Sequence, residues 1–330
     1  MSWAERLQSV FVAVAALAGL GLGLISPLGE IGGYVVIPAL LVMLTAVFIQ
    51  MDAAHVGEVR RAKSLVIASL VLNYVFTPAL AWVLGAGLLG DQPDLRIGLL
   101  LLLVTPCTDW YLVFTAMARG HTGIAAALLP VNLVLQLVLL PVYVLLLGGE
   151  AAMVDADTLA EAVLLMLLTP LVVAFGLRWG VTRLKGDEWR EQHLNTWASR
   201  LVIPLLCVAV LSMFAWQAPV VADNGAEILL LLPSLAIFFT VLPLVSTGIA
   251  WMLRLPGPKR VTLTMVATAR NSPIALGIAV AAFPDRPLIA VALVVGPLIE
   301  LPVLAVLSQI IRHRDQHNTT DSETAPNRTQ

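Results

Sequence analysis

A few side chains stand out because they are polar or reactive in surroundings that are otherwise apolar: Cys107, Asp109, Asn132, Gln136, Arg270 and Glu300. A charge at the centre of a bilayer costs roughly 2.5–3.5 kcal/mol on insertion scales, so such groups face a cavity or a partner. Sixteen of the 19 Lys and Arg lie between apolar stretches on one side or in the tail, and Arg96 and Arg286 lie on the other. That leaves Arg270 alone inside a stretch. The structural alternative is an ion pair between Arg270 and Asp109 or Glu300. Asn132 and Gln136 are one helical turn apart and share a face; for them, and for Asn73, interhelical hydrogen bonding and ligand binding weigh about equally.

These residues recur in two matching places. Residues 99–142 read LLLLLVTPCTDWYLVFTAMARGHTGIAAALLPVNLVLQLVLLPV, and residues 263–306 read LTMVATARNSPIALGIAVAAFPDRPLIAVALVVGPLIELPVLAV. In each, a polar, proline-bearing cluster interrupts an apolar stretch, and a second apolar stretch follows a short turn. At a separation of 164 residues, Cys107 pairs with Asn271, Asn132 with Gly296 and Gln136 with Glu300. Interrupted helices at corresponding points of two halves are the best sequence pointer to a secondary-transporter binding site. Pro106 and Pro273 lack an N–H and clash with the preceding turn, so neither helix can run through. Backbone groups freed there must line a buried or watery cavity. Thr105, Cys107, Thr108 and Asp109 wait in one break; Thr268, Arg270, Asn271 and Ser272 wait in the other. Proline alone is weak evidence, since Pro38, Pro78, Pro170, Pro204 and Pro243 also lie in apolar stretches.

The elements that carry these residues are membrane helices. The chain is 59% hydrophobic and 12% charged, with a mean hydropathy of +0.92, against about 25% charged in soluble proteins. A net charge of −2 excludes a basic nucleic-acid footprint. A spanning helix needs about 20 apolar residues, and ten segments qualify, near 7–25, 33–52, 64–88, 97–118, 122–147, 159–179, 197–217, 227–252, 261–283 and 287–311. The positive-inside rule puts both termini in the cytoplasm. Five spans per half is odd, so the halves lie inverted, as repeats 7–147 and 159–311 of one transmembrane domain, 1–311. The expected fold is all-α: ten helices in two inverted five-helix repeats, with spans 4 and 9 broken. Glu5 and Arg6 cancel in the N-terminal segment, which reads as a retained helix and not a cleaved signal. The polar tail 312–330 reads as disordered.

Cys107 is the candidate for chemistry. A lone buried cysteine is more often a small hydrophobe, which is the reading for Cys207. Cys107 instead sits at a helix break, with Arg270 expected opposite. Positive charge and a helix N-terminus favour thiolate, and a soft sulfur selects thiophilic partners. Arsenite is a small thiophile, and a single sulfur would hold it reversibly, as a carrier requires.

In LNYVFTPALAW (72–82), PCTDWYLVF (106–114), PVNLVLQLVLLPVY (130–143) and VVGPLIELPVL (294–304), the chain resembles the arsenite-efflux permeases of the bile acid/sodium symporter superfamily. The resemblance covers nearly all ten spans. It implies crossed broken helices 4 and 9, a panel-and-core division, and arsenite or antimonite efflux across the cell membrane driven by protons, with the helix-4 cysteine, here Cys107, essential. Those permeases usually carry an acid just after the helix-9 break, where this chain has Pro273, Ile274 and Ala275. They have an apolar residue in place of Asp109 and an arginine in place of Pro106. Asp109 then stands as the replacement proton-coupling carboxylate, and Arg270 as the relocated arginine.

The leading expectation is a metalloid exporter. Substrate would meet Cys107, Thr105, Thr108, Asn271, Ser272 and Arg270; proton coupling would use Asp109 and Glu300, with Asn132 and Gln136 beside them. The alternative is sodium-coupled uptake of an organic anion, with Arg270 on the anion and Asn132, Gln136 and Glu300 as hard oxygen donors to sodium. An enzyme is disfavoured: there is no HExxH motif, all five histidines lie at span ends or outside, and no cofactor is called for.

Overall fold

The computed structural model describes residues 3–25, 28–50, 62–108, 110–148 and 156–323. All named elements in this part of the chain are helical: α1 (Trp3–Ile25), α2 (Leu28–Ile49), α3 (Lys63–Leu88), α4 (Pro93–Val104), α5 (Trp110–Met117), α6 (Thr122–Leu147), α7 (Asp157–Lys185), α8 (Asp187–Trp216), α9 (Leu231–Met252), α10 (Gly257–Thr268), α11 (Ser272–Ala282) and α12 (Pro287–Glu323). Seven of them, among the described residues, are long and apolar enough to cross a membrane: α2, α3, α6, α7, α8, α9 and the part of α12 up to Arg312. The segment expected to be tail continues as helix to Glu323, and 324–330 lie outside the described residues.

Burial sorts the helices. Every residue from Ile97 to Val104 of α4 is buried, as is every residue of α10 from Val261 to Thr268 and of α11 from Ser272 to Ala282 except Ala281. A helix that is apolar all round belongs in a core. The long helices instead turn large apolar side chains outward, among them Val172, Phe175, Leu244 and Trp251. A surface of that kind is at home in lipid.

The packing forms two groups. Helices α1, α2, α7 and α8 pack on one another, and α3, α4, α6, α9, α10, α11 and α12 surround the crossing of the interrupted pairs. In the first group the backbones nearly touch. A Cβ added at Gly19 would collide with Leu211 O, and one at Gly23 with Ala215 O, so the GxxxG pattern serves close packing of α1 on α8 within the chain.

Proline chemistry shapes α3. Pro78 removes the N–H that the carbonyl of Tyr74 would accept and crowds that carbonyl with its ring. The helix widens into a π turn over Leu72–Phe76, and the freed Tyr74 carbonyl accepts the Tyr143 hydroxyl of α6 at 2.6 Å. The Tyr74 hydroxyl donates in turn to the carbonyl of Asn132 at 2.8 Å. Single π turns inside α-helices gather at functional sites, and this one carries Asn73.

Candidate functional site

Both segments expected to be interrupted are unwound where expected, between α4 and α5 at 105–108 and between α10 and α11 at 269–271. The unwound strands cross as a short antiparallel bridge centred on Pro106 and Arg270. The Cys107 N–H donates to Ala269 O at 3.1 Å, and the Asn271 N–H donates to Thr105 O at 2.8 Å. Shifting either bond by 164 residues gives the other: 107 becomes 271, and 269 corresponds to 105. Thus the breaks satisfy each other's main chain, as any buried backbone must be satisfied.

Arg270 is fully buried, and its guanidinium faces carbonyls. Nη1 donates to Leu103 O of α4 at 2.8 Å, Nη2 to Asn73 Oδ1 at 2.8 Å and to Ala267 O, and Nε to Thr268 O at 3.4 Å. The ring of Phe238 from α9 lies 5.3 Å away on its flank. The last carbonyls of a helix have no intrahelical partner and carry partial negative charge. Arg270 caps two such ends at once, those of α4 and α10. Glu300, also buried, reaches the same residue from the other direction and accepts the Arg270 backbone N–H at 2.7 Å. The acid–arginine association foreseen from sequence therefore runs through main chain, while the guanidinium serves helix ends.

The other expected contacts divide. Thr105 lies in the break, but its hydroxyl turns back to Leu101 O at 2.8 Å and Leu102 O at 3.0 Å. It closes its own helix end, and Thr268 does the same to Thr264 O at 2.7 Å. Asn271 is the N-cap of α11: its Oδ1 accepts the Ile274 N–H at 3.1 Å, and its Nδ2 donates to Thr108 Oγ1 at 2.7 Å. A cap of this type satisfies an otherwise orphaned N–H. Cys107 is 1% exposed and tied by its own N–H to the crossing. Asp109 lies outside the described residues.

Ser272, Asn132 and Gln136 differ in kind. All are buried, yet Ser272 Oγ and both amide atoms of Asn132 and of Gln136 have no hydrogen-bond partner among the described residues. A buried amide without a partner costs about 1–3 kcal/mol, so each of these groups calls for a partner beyond the described residues, such as a water or an ion. A Cβ on Gly296 would come within 2.9 Å of Ser272 Oγ and 2.7 Å of Leu102 Cδ1. The glycine that corresponds to Asn132 thus keeps room beside Ser272.

Sequence alone marks Asn73 only as a further amide and does not reveal the main-chain acceptors around Arg270 or the ring of Phe238. The one available signal was Pro78, four residues beyond Tyr74, which forces the π turn presenting Asn73. Which carbonyls a buried arginine meets depends on the crossing, and composition says nothing of that.

Comparison with known proteins decides the family. The profile of the Sodium Bile acid symporter family matches residues 37–229. The chain belongs to that family. Two curated relatives are named "Arsenical-resistance protein Acr3". The one from Corynebacterium glutamicum is 27% identical over 93% of this chain and 88% of its own length, and the one from Alkaliphilus metalliredigens is 25% identical over 95% and 93%. An "Uncharacterized transporter slr0944" of Synechocystis sp. is 25% identical over 93% of this chain and 88% of its own. This family member is a multi-pass membrane transport protein whose apolar helices surround a polar crossing.

Proposed function

We propose that this transporter is a ten-span carrier of two inverted five-helix repeats that expels arsenite or antimonite across the cell membrane in exchange for protons, with both termini in the cytoplasm. The observation that carries the reading is the position of Cys107: a buried residue on unwound backbone whose main-chain N–H donates to Ala269 O, next to Arg270, whose own N–H donates to Glu300. Trivalent arsenic needs one soft donor. The Cys107 thiol displaces one hydroxide of As(OH)3, forming one S–As bond; the thiol proton leaves with that hydroxide as water. Hydrolysis of the same bond regenerates thiol and arsenite on the far side. Glu300 supplies a carboxylate within the crossing that can take up and release the coupling proton, and Asp109 is assigned the same task beside Cys107. Ser272, Thr108 and Asn271 furnish polar contacts to the cargo, and Asn132 and Gln136 are assigned to the coupling ion.

The names of the two relatives support arsenic as cargo, and the equivalent hydrogen bonds of the two breaks support the inverted repeat. Uptake of an organic anion is less well supported, because it asks Arg270 to bind a carboxylate or sulfonate. Four N–H bonds from that guanidinium already go to protein oxygens.

Arsenite tolerance of cells lacking their own exporters tests the reading. Cells expressing the chain should grow at arsenite concentrations that stop the parent, and Cys107→Ser should return them to parental sensitivity. Unchanged tolerance on expression removes arsenite as the cargo, and full tolerance with Cys107→Ser removes Cys107 as its ligand.

A further inference from the structure

The surroundings of Arg270 have the form of a cation site. The first halves of both interrupted pairs, α4 and α10, run toward the crossing and stop there, so the negative ends of two helix dipoles converge. Leu103 O comes from one and Ala267 O and Thr268 O from the other; Asn73 Oδ1 closes the group from the π turn of α3. Unwound carbonyls and half-helix C-termini are what ion-coupled carriers offer to sodium. Rings of such oxygens work by replacing the hydration shell of an alkali ion. Here every one of these oxygens accepts from a guanidinium that is fully buried and flanked by an aromatic ring.

We propose that Arg270 is a tethered cation standing in for a transported alkali ion, and that the carrier therefore works without binding sodium at its crossing. An inorganic cation in this cage would arrive and leave with each cycle and so link cargo to a sodium gradient. A guanidinium fixed to the backbone does neither. It holds the two helix ends together permanently, and the coupling passes to a group that can change its own charge, for which Glu300, on the Arg270 N–H, is placed. The inference rests on reading the crossing as the transport site, and not on the identity of the cargo.

The test is thermal unfolding of the purified full-length chain in detergent, with NaCl exchanged for choline chloride at constant ionic strength. Wild type should melt at the same temperature in both salts. Arg270→Ala should melt lower in choline and regain stability saturably with NaCl, by roughly 3 °C between 1 and 100 mM, as a ligand bound only to the folded state does. Arg270→Lys, which keeps a tethered charge, should be indifferent to sodium. A saturable, sodium-specific rise in wild type overturns the proposal, as does a folded Arg270→Ala that sodium leaves unmoved. If Arg270→Ala does not fold in either salt, Arg270→Lys decides: indifference to sodium supports the proposal, and stabilisation by sodium overturns it. Since no arsenic enters this measurement, an exporter of another cargo would still pass it, and an arsenite exporter that uses sodium would fail it alone.

Discussion

The two breaks at the centre of the molecule share a backbone and differ in almost every side chain. Their main chains exchange a matched pair of hydrogen bonds, so the crossing itself is a symmetric object. On it, the first break presents Pro106 and Cys107 where the second presents Arg270 and Asn271. Arg270 gives its N–H to Glu300. Pro106 has no N–H to give, and Gln136, the counterpart of Glu300, has an amide without a partner among the described residues. The second half supplies the buried charges that tie the crossing together, although its Ser272 Oγ has no partner among the described residues. The first half carries the thiol and the two amides, Asn132 and Gln136, that have no partner among the described residues, and the proposed function places the cargo against it.

Substitutions at matched positions should expose this asymmetry, and the largest effect belongs to Arg270. Arg270→Met leaves three carbonyls and the Asn73 amide oxygen without their donor and should cost about 3–5 kcal/mol, the usual loss when one member of a buried charged network is removed. Its counterpart Pro106→Ala lies in unwound chain and should change stability by less than about 1 kcal/mol. Unfolding of the two variants side by side checks this; equal losses would erase the proposed division of labour.

Next in size is the pair of Glu300 and Gln136. Glu300→Ala orphans a buried N–H and should destabilise by about 1–3 kcal/mol, whereas Gln136→Leu removes an amide already orphaned and should be neutral or stabilising. Opposite signs in the melting temperatures are the expected result. Gly296→Ala pushes a methyl against Leu102 and Ser272 and should cost about 1–2 kcal/mol by overpacking; a matching loss of transport would mark the space beside Ser272 as used. Smallest for stability is Cys107→Ser, within about 1 kcal/mol of wild type, as for Cys207→Ser, although only the first should abolish transport.

Much of this was legible in the sequence because membrane chemistry leaves few choices. A proline inside an apolar stretch cannot hide, and a polar cluster beside it predicts an unwound segment; residues 105–108 and 269–271 are unwound in that way. Helical spacing puts Asn132 and Gln136 on one face, and in the fold both are buried without a partner among the described residues. Orientation was not legible. The sequence could place Arg270 and Thr105 in the breaks, but which way a side chain turns depends on which carbonyls the crossing leaves open. Arg270 turned to Leu103, Ala267 and Thr268, and Thr105 to Leu101, because an orphaned helix end in a dry core is a stronger demand than a vacant pocket.

The central claim, that Cys107 holds a metalloid at the crossing of two unlike halves, is tested most directly by arsenite accumulation in everted membrane vesicles, comparing wild type with Cys107→Ser at equal expression and melting temperature. Wild-type vesicles should accumulate arsenite while a proton gradient is maintained and lose the capacity when it is collapsed, and Cys107→Ser vesicles should accumulate none. Equal accumulation by the two would contradict the account.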